Sequence, residues 1–79
     1  MKIVIEGDGS YISLRANKEH FTLYKSDLEN FLGDTAEETY ANIEDYLLDV
    51  LPDEGHPDWT WNAQDLKKAC HKVFKTYKK

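Results

Sequence analysis

A chain of 79 residues, 41% apolar and 13% aromatic, with only four glycines and two prolines, fills one small domain spanning 1–79 and is too apolar for disorder. So short a chain buries only about 60 to 65% of its unfolded surface, which leaves little room for a substrate pocket and speaks against an enzyme. Its net charge of −5 disfavours nucleic acid as a direct partner, and its N-terminal apolar stretch, Ile3 to Ile5, is too short for a signal-peptide core or a membrane span.

Lys2 to Glu6 is rich in Ile and Val, Gly7-Asp8-Gly9-Ser10 is a turn cluster, and Tyr11 to Ala16 alternates with Ile12, Leu14 and Ala16 on one face. That period of two predicts a hairpin. Asn17-Lys18-Glu19 is a second polar turn before Phe21 to Tyr24, so a three-stranded antiparallel meander is expected. Its inner face would hold Ile3, Ile5, Ile12, Leu14, Phe21 and Leu23. Lys2, Val4, Tyr11, Ser13, Arg15, Thr22 and Tyr24 would face water.

Helices follow. Ser26 with Glu29 reads as a capping box, opening a helix of about two turns through Leu28, Phe31 and Leu32, with Gly33 as its left-handed stop. Thr35 with Glu38 repeats the box. Tyr40, Ile43, Leu47, Val50 and Leu51 then recur at helical spacing up to Pro52, where the helix should stop. Pro52 to Thr60 is a loop with turn residues, and Asn62 caps a third helix whose apolar positions are Leu66, Cys70, Val73, Phe74 and Tyr77. The expected class is α+β, in the order β-β-β-α-α-α, with the meander packed on two to three helices.

Charge is segregated along this plan. The first 25 residues carry +1, Ser26 to Asp65 carries twelve acids and no Lys or Arg, and Leu66 onward carries six lysines and no acid. On a helical wheel Glu38, Asp45 and Asp49 fall within about 40° of one another, opposite the apolar stripe, with Glu37 and Glu44 on the flank. These five carboxylates span about 18 Å, one charge per roughly 3.6 Å, against one phosphate per ~3.4 Å along a DNA strand. Asp53, Glu54 and Asp58 extend the run. Two readings compete: a solvated face answered by Lys68, Lys72 and Lys75, or a surface that competes with nucleic acid for a basic groove on a partner protein.

Other candidates are fewer. In Trp59-Thr60-Trp61, Trp59 is the candidate aromatic anchor for a partner, and Trp61 is assigned to the core. Cys70 lies on the apolar side of its helix and His71 points about 100° away, so the two do not form a nucleophile and base. As a lone cysteine, Cys70 makes no internal disulfide, which fits a reducing compartment. His56, Asp58 and His71 lack any metal-ligand spacing, and Gly7-Asp8-Gly9 lacks the context of a phosphate loop. No cofactor or metal is expected.

In size, acidity and aromatic content the chain resembles the inhibitors that phages carry against host defence, the anti-CRISPR and anti-restriction proteins. No motif accompanies that resemblance, so it transfers no residue roles. It implies a non-enzymatic, cytoplasmic inhibitor, in the host cytoplasm if viral; the surface expected to act, read from charge and wheel alone, is Glu37, Glu38, Glu44, Asp45, Asp49, Asp53, Glu54 and Asp58. One alternative is a homodimer that sets acidic against basic patches. A second is a nucleic-acid binder using Lys2, Tyr11, Arg15 and Tyr24 or the C-terminal lysines, which requires the acidic helix to be turned away.

Overall fold

The computed structural model describes residues 3–77. It shows three antiparallel strands, β1 (Val4–Gly7), β2 (Ile12–Ala16) and β3 (Glu19–Leu23), followed by helices α1 (Lys25–Glu29), α2 (Ala36–Asp53) and α3 (Ala63–Tyr77). The strands form one sheet in the order β1-β2-β3, so the expected α+β meander is the fold. Lys2, assigned to the outer face, lies outside the described residues.

Turn chemistry sets the register. Asp8 Oδ1 accepts from Ser10 N–H at 2.9 Å and Ser10 Oγ at 2.6 Å, and Gly9 takes φ of 102°, a conformation that glycine adopts without a Cβ clash. A Cβ there would stand 2.3 Å from Thr76 Oγ1, so this turn is also a docking point for α3. In the second turn Asn17 takes φ of 55°, letting Ala16 pair with Glu19 and Arg15 with His20. The third strand thus starts two residues before Phe21, because the turn needs only Asn17 and Lys18.

Alternation then decides the faces. Ile3, Ile12, Leu14, Ala16 and Leu23 are buried, and Ile5 and Phe21 pack beside them. Val4, Tyr11 and Tyr24 are 54%, 36% and 64% exposed, as expected of the outer face. The core closes on Leu28, Thr39, Ile43, Leu47, Leu51, Leu66, Ala69, Cys70 and Val73.

The first helix differs from expectation. It covers only Lys25–Glu29, its N-cap is Tyr24 with no side-chain bond, and the Tyr24 carbonyl accepts from both Asp27 and Leu28. Ser26 therefore sits inside the helix and forms no capping box. Gly33 is not left-handed; its role is proximity, since a Cβ there would meet Glu38 Cβ at 2.5 Å. Phe31 leaves the helix to pack on Tyr46, ring centroids 4.8 Å apart, and Asn42 Nδ2 holds its carbonyl at 3.0 Å.

The second cap forms as read. Thr35 Oγ1 accepts from Glu38 N–H at 3.1 Å, and Glu38 Oε2 reaches back to Asp34 N–H at 2.7 Å, one residue upstream of the usual reciprocal partner. The helix runs one residue past Pro52. Proline there costs one backbone bond, to the carbonyl of Leu48, which lies on a solvent-facing residue 60% exposed and can be hydrated. The end is a Schellman motif: His56 N–H donates to Leu51 O at 2.9 Å, Gly55 N–H to Pro52 O at 3.3 Å, with Gly55 at φ of 89°.

α3 opens as expected, with Asn62 Oδ1 accepting from Gln64 N–H at 2.8 Å. It is fastened to the β1–β2 hairpin at both ends. Ile3 N–H donates to Thr60 O at 3.1 Å, and Tyr77 O–H donates to Ser10 O at 3.3 Å.

Candidate partner-binding surface

The eight carboxylates singled out in the sequence fall on α2 and the loop after it. α2 commits Thr39, Ile43, Leu47 and Leu51 to the core, which turns Glu37, Glu38, Asp45, Asp49 and Asp53 outward, all exposed, followed by Glu54 and Asp58 in the loop. Glu44 is half-buried and is held by the Tyr40 hydroxyl, which donates to its Oε2 at 2.6 Å. That bond, with burial, pushes the Tyr40 hydroxyl pKa up to about 12. Glu44 thus belongs partly to the α2–α3 interface, and Glu38 partly to the helix cap.

The lysines of α3 do not cover this face. α2 and α3 pack through their apolar stripes, and Lys67, Lys68, Lys72 and Lys75 line the outer side of α3 with Gln64 and His71. Among the described residues the ion pairs are Arg15 with Glu6 at 2.9 Å and His56 Nδ1 with Glu19 Oε2 at 3.3 Å. The second is a matter of proximity, since Nδ1 lies off the hydrogen-bonding line. No carboxylate of α2 is paired with an α3 lysine.

Helix electrostatics make the face more unusual. α2 has no basic residue in its last turn yet places Asp53 there and Glu54 at its cap, where the partial negative charge of the helix end repels carboxylates. Asp45, Asp49 and Asp53 repeat at i, i+4, a spacing at which like charges oppose each other.

Trp59 is not on this surface. It is 8% exposed and belongs to the core, stacked on His56 with ring centroids 4.0 Å apart, while Trp61 is only partly buried. The order of the two tryptophans is the reverse of the expectation, because the Schellman turn brings His56 back over Trp59. Leu48 is the large apolar side chain that α2 leaves exposed. It is 60% exposed on the outer side of α2, one turn from Glu44 and Pro52 and three residues from Asp45. Its signal in the sequence was its absence from the apolar stripe.

Cys70 is fully buried, and burial, reinforced by nearby Glu44, pushes its thiol up to about 12, so it is no nucleophile at neutral pH. Among the described residues no three His, Cys, Asp or Glu side chains gather as a metal-ligand set. No helix among them is long and apolar enough to cross a membrane. No known protein family matches this chain, and no curated protein or solved structure matches it either.

Proposed function

We propose that this protein is a non-enzymatic binding module whose carboxylate face on α2 occupies a basic, nucleic-acid-binding groove of a partner protein. Its nearest kind by size and charge is the inhibitor that phages direct at host defence. One observation carries the reading: the acidic face is exposed, unpaired with the α3 lysines, and continued into the C-terminal turn of α2, where the helix dipole opposes it. A fold selected for stability alone would place lysine there. A line of exposed carboxylates meets a groove built for phosphates and steers the encounter, and Leu48 offers an exposed apolar contact on its flank.

Asp45 and Asp49 are the residues to reverse, since Glu38 also caps the helix. Immobilised wild type and the Asp45→Lys/Asp49→Lys variant are exposed to nuclease-treated lysate. The wild type should retain nucleic-acid-binding proteins that added DNA duplex releases, and the variant should not. Equal retention by both, or retention that duplex does not displace, refutes the reading.

A further inference from the structure

A second surface lies away from the acidic one. The outer face of the sheet carries a cleft of about 500 Å³ lined by Ser10, Tyr11, Ser13, Thr22, Tyr24 and Lys25. Ser13 and Thr22 are paired across β2 and β3, and their small side chains make the floor. Tyr11 and Tyr24 flank the last ladder pair, Ile12 with Leu23, and the alternation puts both rings on the outer face as one wall. Arg15, bound to Glu6 at 2.9 Å, stands toward the other end.

The cleft adjoins the basic side of α3 across the Asp8–Ser10 turn. Ser10 lines the cleft, its carbonyl accepts from Tyr77 at the end of α3, and Gly9 beside it packs on Lys72 O and Thr76 Oγ1. The outer side of α3 is a basic strip formed by Gln64, Lys67, Lys68, His71, Lys72 and Lys75, with Lys72 nearest the turn. Lys68 repels Lys72 at i, i+4 and Lys72 repels Lys75 at i, i+3, and among the described residues none of these lysines forms an ion pair. One carboxylate stands at the junction, Asp8, which is held below the usual carboxylate range by its bonds to Ser10, with Lys72 adding to the effect.

We infer that this track binds single-stranded nucleic acid, phosphates along the α3 lysines and bases against Tyr11 and Tyr24. Basic side chains that track the backbone beside exposed rings that stack on bases are the combination by which single strands are held without sequence preference. A duplex keeps its bases stacked and can use only the lysines. The −5 of the chain does not forbid it. Eight of the fifteen acids lie on α2 and the loop after it, and the residues lining the cleft and the basic side of α3 include no carboxylate. This site is independent of the α2 surface.

The test is fluorescence anisotropy with a labelled oligothymidine strand at low salt, on folded full-length protein. The wild type should bind, and Tyr24→Ala, a change at an exposed side chain, should weaken binding roughly 5- to 160-fold. Lys68→Ala/Lys72→Ala should reduce the slope of log K against log salt by about 1.4, at ~0.7 per phosphate contact. Asp8→Asn should tighten binding, and Asp45→Lys should leave it within about twofold. Absence of binding, a duplex of equal length bound more tightly, or an unchanged affinity in Tyr24→Ala would each overturn the inference. Circular dichroism of each variant separates loss of binding from loss of fold.

Discussion

Reversing two acids at the end of α2 should make the protein more stable while removing its proposed activity. Asp53 lies in the last turn, where a carboxylate is disfavoured by about 0.3–1 kcal/mol and a lysine favoured by a similar amount. Asp49 opposes both Asp45 and Asp53 at i, i+4, about 0.2–0.5 kcal/mol for each pair. In Asp49→Lys/Asp53→Lys the Asp45 contact becomes an acid four residues before a base, the favourable order, while the 49–53 pair stays like-charged and adds nothing to the change. Together these terms give about 1–2 kcal/mol of stabilisation. For a domain of this size each kcal/mol raises Tm by about 4–8 °C, so calorimetry at low salt should show a rise of roughly 5–15 °C. The gain should shrink in about 1 M salt, where the Debye length is ~3 Å. A variant with an unchanged or lower Tm would show that these carboxylates serve the fold, and the argument from misplaced charge would fall.

Two further outcomes follow from the interior. Thr39 is fully buried; its hydroxyl donates to Thr35 O at 3.1 Å and accepts from Gly33 N–H at 3.0 Å. Thr39→Val keeps the shape and strands the Gly33 donor, so urea denaturation should show a loss of about 1–3 kcal/mol; a neutral result would mean water reaches that amide. At alkaline pH the Cys70 thiol is raised from 9.0 to about 12 by burial, and the Tyr40 hydroxyl from 10.0 to about 12, chiefly by its bond to Glu44. Both folded values exceed the unfolded ones, so their contribution is full below pH 9 and is lost as pH climbs from about 9 toward 12. The urea midpoint should fall across that window, less steeply in Tyr40→Phe, and a flat profile would contradict it.

Much of this architecture is legible in local patterns. Alternation in Tyr11 to Ala16, the Thr35 and Asn62 caps and the α2 stripe each depend on residues a few positions apart, and each forms as its spacing predicts. Ser26 with Glu29 has the same lettering as Thr35 with Glu38, yet forms no box, because the Tyr24 carbonyl already satisfies the amides of Asp27 and Leu28. The tryptophans show the other limit. Their burial is decided by where the Schellman turn aims His56 and by the bond from Ile3 to Thr60, contacts between distant segments that no window of sequence contains. The acidic face was legible in composition and wheel, but that the lysines of α3 leave it uncovered depends on how the two helices are rotated about their axes.

The pair of hydrogen bonds that fasten α3 to the hairpin also bears on the order of assembly. Ser10 and Tyr77 are 67 residues apart, and Ile3 waits for Thr60, so the β1–β2 hairpin, whose own ladder is local, gains its fastening to α3 only when these distant segments meet. Closing such loops costs chain entropy before any contact repays it, and this slows folding. A nascent chain that has presented only the meander and α2 exposes the apolar stripe of α2, with Ile43, Leu47 and Leu51 uncovered, until α3 arrives to cover it. Like charge on the opposite side of α2 opposes association between neighbouring chains while that stripe is uncovered.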